Sequence, residues 1–223
     1  IYGDNVEDIL GRGKYLLFIN DDTYPEPDML AEHVAFLEQA ADPYLAALGR
    51  IQFTPSLRHL AISEAIERYN FLFPYTGLRT DRLYDFDWFV TGNIAIAKQP
   101  FLDHDLRFNE TFHRYGCEDI ELGFRLWRQG MRVQYNPRAL AQHEHLMSAA
   151  AYWRRELANA YNQVQFMGLH PELVRRYWGV AGLSPAVVEA WQAQWERFAP
   201  ERDGVLAALA EVEHQPLPAL VGR

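Results

Sequence analysis

Gly13-Lys-Tyr-Leu-Leu-Phe-Ile-Asn-Asp-Asp-Thr-Tyr-Pro-Glu-Pro-Asp28 is the stretch that decides the fold class. Its centre, Tyr15–Ile19, is a short apolar run between Gly13 and three polar turn formers, which predicts a buried strand of the parallel-sheet kind. Asp21 and Asp22 follow at once, at the carboxyl end of that strand, and open α/β sheets bind ligands at this edge. Two adjacent carboxylates there can hold a hard divalent cation, and the cation a diphosphate. Asn-Asp-Asp-Thr-Tyr-Pro is also good turn chemistry by itself, and taken alone the turn is sufficient explanation.

Outward from this segment, strands and helices alternate. A helix is expected from Asp28 to Gln39, where Met29, Leu30, Val34 and Leu37 recur at helical spacing after Pro25 and Pro27. A second strand is expected at 45–53, a helix near 57–69, a strand over Trp88–Ala97, a helix at about 118–129 closed by Gly130, and a short strand at 132–135 stopped by Pro137. That alternation predicts an α/β domain with a mostly parallel sheet over residues 1–147. After Ser148 the β-branched residues thin out and Pro171, Pro185 and Pro200 stand where helices start, so 148–223 reads as a helical appendage. Its tryptophans (Trp153, Trp178, Trp191, Trp195) are most simply core contacts.

Two further clusters carry chemistry. In Tyr115-Gly-Cys-Glu-Asp-Ile-Glu-Leu-Gly-Phe-Arg125 the acids Glu118 and Asp119 fall in the first helical turn, where the helix dipole stabilises them. An ionised carboxylate so held can also serve as a general base. Glu121 and Arg125, at i and i+4, read as a helix-surface ion pair. In Ala141-Gln-His-Glu-His145 two histidines flank an acid, a weak metal signal without zinc-protease spacing. Cys117 reads as a small buried filler.

Composition removes several classes. Thirty acids oppose 21 bases, a net charge of −9, where a nucleic-acid reader needs the opposite balance. A single cysteine excludes an internal disulfide and a thiolate-rich metal cluster. No uncharged apolar stretch reaches the roughly 18 residues of a membrane span, and no signal peptide is evident, so a soluble protein of a reducing compartment is the expectation. The acidic excess is concentrated at one end: residues 1–60 carry ten acids against four bases. That suggests a solvated acidic surface or a cation site. The nearly neutral region after Ser148 makes a membrane-surface role a minority reading.

The order of these clusters resembles the family-two inverting glycosyltransferases with the GT-A fold. Gly13–Asp28 resembles their metal-binding acidic segment, and Val90-Thr-Gly-Asn-Ile-Ala-Ile-Ala-Lys98 their acceptor-side strand. Cys117–Leu126 is similar to their Glu-Asp catalytic helix, and His143 stands where that family often has a late histidine metal ligand. The resemblance covers about residues 5–147. It implies a nucleotide-sugar donor and an acceptor hydroxyl on a glycan or glycolipid. It further implies Mn2+ or Mg2+ at Asp22 and His143, with Asp21 nearby, Asp119 as the base and Glu118 on the acceptor. Gly92, Asn93 and Trp88 would line the donor and acceptor pockets, and Asn5 resembles an asparagine of the nucleoside pocket. A cytoplasmic enzyme follows, at the inner membrane face if the acceptor is a lipid. Asn20 stands where the family often has an acid, which leaves the acidic site to Asp21 and Asp22.

The family builds its nucleoside pocket before the acidic segment, from two β–α units of roughly 60–90 residues. Only 14 residues precede Tyr15, so the chain reads as the carboxyl-terminal part of a longer transferase. The competing readings are a catalytically silent carbohydrate-binding or assembly module on the same scaffold, and a sugar nucleotidyltransferase. Retention of both acidic pairs favours the enzyme over the silent module, and the Glu-Asp helix fits the nucleotidyltransferase poorly. If the carry-over holds, Asp22 and His143 should approach within roughly 4–7 Å of each other, with His145 the next candidate.

Overall fold

The computed structural model describes residues 13–69, 71–72 and 75–216. In chain order these form β1 (Tyr15–Ile19), β2 (Thr23–Pro25), α1 (Met29–Ala40), β3 (Leu45–Phe53), α2 (Pro55–Arg58), α3 (Ala61–Arg68) and β4 (Leu83–Tyr84). A 3-10 turn (Phe86–Trp88), β5 (Asn93–Ala97), α4 (Gln99–His104), α5 (Glu118–Arg128) and β6 (Arg132–His143) follow. The remainder is α6 (Ala149–Leu169), a second 3-10 turn, α7 (Val174–Trp178) and α8 (Pro185–Ala210). The fold is α/β and GT-A-like, with one central sheet.

The strands lie in the order β1-β5-β3-β6-β2, with β4 also on β6. Only β3 and β6 pair in parallel; the other four pairings among the described strands are antiparallel. The expectation of a mostly parallel sheet is therefore corrected to a mixed one. β1, β3 and β6 do run the same way, but β5 is inserted against them between β1 and β3, and the short β2 and β4 also run in reverse. A continuous apolar run shows that a strand is covered on both faces; it does not encode direction.

β5 is that kind of strand, buried at every position. Ile94 and Ile96 face a cluster with Leu48, Phe89, Phe101 and, from α5, Leu122 and Leu126. On the opposite face Ala95 and Ala47 meet Leu37 of α1. The small residues let α1 lie close, and Met29, His33 and Leu37, four apart, form its buried stripe. Each large side chain enclosed in this way contributes about 1.5–3 kcal/mol.

Two more expectations change. The strand predicted over Trp88–Ala97 begins only at Asn93, because Phe86–Trp88 turns as a 3-10 helix whose Asp85 carboxylate accepts from the Asp87 amide at 3.4 Å. The strand predicted to stop at Pro137 continues to His143. Its register against β3 slips between Gly49, opposite Asn136, and Arg50, opposite Leu140, so Pro137 sits in a bulge where its missing N–H is tolerated.

The described residues divide into two compact units: one of 13–59, 63–113 and 118–146, the other of 60–62, 114–117 and the residues from Met147 on. In the second, Ser148 caps α6 by accepting from Ala151 and Ser184 caps α8 by accepting from Val187. The tryptophans expected in a core instead pair with each other while half-exposed. Trp153 stacks on Trp195 at 5.5 Å, and Trp178 meets Trp191 edge-on at 5.7 Å. Among the described residues no helix is long and apolar enough to cross a membrane.

Candidate active site at the sheet edge

β1 and β2 stand at opposite ends of the strand order, yet only Asn20, Asp21 and Asp22 separate them. This three-residue link carries the chain from β1 to β2. Gly92, at the head of β5, stands beside it: a Cβ there would touch Asn20 Nδ2 in ordinary contact at 3.5 Å and crowd the Ile51 Cδ1 methyl at 2.9 Å. The link closes as a turn, the Thr23 amide donating to the Asn20 carbonyl at 3.1 Å. β2 then docks on β6 with Thr23 opposite His143.

That register delivers Asp22 to His143. Asp22 Oδ2 lies 3.2 Å from His143 Nε2 and 3.8 Å from His145 Nδ1, closer than the separation expected from the sequence. Glu144 N–H donates to the Asp22 carbonyl at 3.0 Å, which fixes the backbone beneath. The His143 ring is buried edge-on against Phe53 at 5.6 Å, whereas His145 is half-exposed. The bond to His143 holds the Asp22 carboxyl below its ordinary range, against the opposing effect of burial.

Asp22 Oδ1 is buried and accepts no hydrogen bond from the described residues. A buried carboxylate oxygen without a donor is costly in a protein but suits a cation ligand. Among the described residues no set of three or more histidines, cysteines and carboxylates is arranged to hold a metal alone. Asp22 and His143 are the residues that could hold one, as two ligands of an open shell. Asp21, the expected neighbour, is exposed in the turn.

The second half of the site reaches the same edge from α5. Asp119 Oδ2 accepts from the Thr91 amide at 3.4 Å, one residue before Gly92, and Oδ1 from the Ile120 amide at 2.7 Å. Its carboxyl is pushed up to about 7, by burial first and by the adjacent Glu118 charge second. A carboxyl poised there is half-ionised near neutrality and can take a proton from an alcohol. The Thr91 amide is a functional group that residue types could not reveal; only the loop entering β5 at Val90-Thr91-Gly92 hinted at it.

Other expectations resolve differently. Asn93 was expected to line a sugar pocket, but its side chain is wholly enclosed. Nδ2 donates to the Arg50 and Ala139 carbonyls at 3.2 and 2.9 Å, so Oδ1 must be the atom facing His33 Nε2 at 2.8 Å. His33 therefore carries its proton on Nε2 and is neutral, with burial lowering its pKa. Asn93 ties α1, β3 and the β6 bulge together beneath the site. Trp88 is half-buried and packs edge-on against Tyr84 at 5.5 Å. Asn5 lies outside the described residues.

The Glu121–Arg125 pair, expected on the surface, is largely internal. Glu121 is 3% exposed and takes a forked bond from Arg125 Nε and Nη2 at 2.9 and 2.8 Å. Arg125 Nη2 also donates to the Arg107 carbonyl at 2.5 Å, which pins the preceding loop to α5.

The family model described as Glycosyltransferase like family 2 matches residues 6–162, most of the chain. A hyaluronan synthase of Pasteurella multocida is 37% identical over 59 residues, 26% of this chain. That match spans 6% of the synthase's own length.

Proposed function

Because this chain belongs to the glycosyltransferase-like family 2, we propose that it moves a sugar from a nucleotide-sugar donor to an acceptor hydroxyl with inversion at the sugar carbon. The observation that carries the reading is the Asp119 carboxyl, raised toward neutrality and fastened by the Thr91 amide to the edge where Asp22 meets His143. A base and an anion-facing site at one edge are what a single in-line displacement needs.

Asp119 takes the acceptor O–H proton as the acceptor oxygen forms its bond to the sugar carbon and the bond to the diphosphate oxygen breaks. Glu118, one residue earlier, holds the acceptor and raises the basicity of Asp119. Asp22 and His143 would hold Mn2+ or Mg2+, whose charge would neutralise the departing diphosphate. Asp21, exposed beside them, would meet the donor. The resemblance to a hyaluronan synthase over a short segment is in keeping with a glycan acceptor; a glycolipid acceptor would be met at a membrane face.

The test is transfer by the full-length protein with a panel of nucleotide-sugars and simple glycan acceptors, with and without Mn2+. Metal-dependent transfer that drops by about 100-fold or more in Asp22→Asn supports the proposal. Transfer that is indifferent to both metal and Asp22 contradicts the metal assignment. No transfer with any donor, alongside retained glycan binding, would favour the silent module.

A further inference from the structure

We propose that Gly123 of α5 is a positioning residue for Asp119, its bare Cα letting the helix rest directly on the turn that leads to the Thr91 amide. The inference rests on the transfer reading above. Gly123, Asp119 and the turn all lie in the compact unit of 13–59, 63–113 and 118–146. Gly123 stands in the middle of α5 and is buried. Glycine inside a helix weakens it relative to alanine, so its place there has to be explained by packing.

A Cβ on Gly123 would lie 2.6 Å from Phe89 Cβ, 3.1 Å from Phe89 Cγ and 3.1 Å from the Phe86 carbonyl oxygen. Carbon atoms pack at about 3.5–4.0 Å, so a methyl group here would force helix and turn apart by about 1 Å. None of the three obstructing atoms is the end of a flexible side chain. Phe86 and Phe89 are wholly enclosed and cannot swing aside. Phe86 meets Phe124 edge-on at 4.9 Å and Trp127 at 5.6 Å, and Phe89 shares a cluster with Leu122 and Leu126.

The turn is braced up to the functional amide. Phe89 N–H donates to the Phe86 carbonyl and Val90 N–H to the Trp88 carbonyl, each at 3.0 Å. Thr91 comes next, and its amide reaches Asp119 Oδ2 at 3.4 Å. That bond is already long for N–H···O, so about 1 Å more would break it. Asp119 and Gly123 are four apart and share one face of the helix. The contact at Gly123 therefore sets how far the Asp119 carboxyl stands from the turn.

The experiment compares Gly123→Ala with Leu37→Ala, a core variant on the opposite face of the sheet. In full-length protein, Gly123→Ala is expected to lower kcat by about tenfold to 100-fold, with donor KM within about twofold. Amide hydrogen exchange at Thr91 is expected to be faster by about tenfold or more than in Leu37→Ala, compared at equal folded fraction. Leu37→Ala should keep kcat and KM within about twofold of the wild type. Equal kcat in the two variants, or equal Thr91 exchange, would overturn the proposal, and the exchange readout needs no turnover. Absent transfer by the wild type, with the exchange difference intact, would instead count against the reaction assigned above. If Gly123→Ala does not fold, Phe86→Leu, which loosens the same turn from α5, decides by the same criteria.

Discussion

Asp119 shows how one residue's surroundings set both chemistry and stability. Burial and Glu118 raise its carboxyl to about 7, so the fraction able to accept a proton grows as pH rises through that value. kcat/KM is expected to fall about tenfold per pH unit on the acid side of pH 7, measured from pH 5 to 9. The stability consequence has the opposite sign. A carboxyl whose folded pKa exceeds its ordinary 3.8 favours the folded state below 3.8 and loses that contribution as pH rises through about 7. Asp119→Asn, uncharged throughout, should therefore be more stable than the wild type by about 1–3 kcal/mol at pH 8. The gap should close toward pH 4, and urea melts at both pH values would show it. At this scale the sequence was informative for the acids and the late histidine, since Asp22, Asp119 and His143 all reach one edge. It was misleading for Asn93, because residue type does not distinguish an amide lining a pocket from one enclosed beneath it.

At the scale of elements, β3 and α1 could be placed to within a residue from hydrophobic period and punctuation. What stayed hidden was long-range: the reversed β5, the bulge carrying Pro137, and the break between α2 and α3 in what read as one helix near 57–69. Each depends on partners far away in sequence. Gly49 illustrates the point. A Cβ there would overlap the Asn93 side chain and approach the Ala139 carbonyl to 2.6 Å, so its absence lets Asn93 reach across the bulge. Gly49→Ala is expected to cost about 2–4 kcal/mol, because one of the obstructing atoms is backbone. Chemical denaturation would measure it, and an unchanged midpoint would remove Asn93 from its tying role.

For the molecule as a whole, the helical character after Ser148 could be read from composition, but the way the turn at 114–117 joins α6 could not. That turn is short, and its partners stand more than 40 positions later. The central claim concerns the whole reaction: an inverting transfer with Asp119 as base. The measurement that tests it most directly is the anomeric configuration of the product, read by NMR at early times with full-length wild-type protein and Asp119→Asn. The account predicts a product of configuration opposite to the donor's sugar, and turnover in Asp119→Asn below about 1% of wild type with donor affinity changed by less than about tenfold. A product of retained configuration, or wild-type turnover in Asp119→Asn, would contradict it.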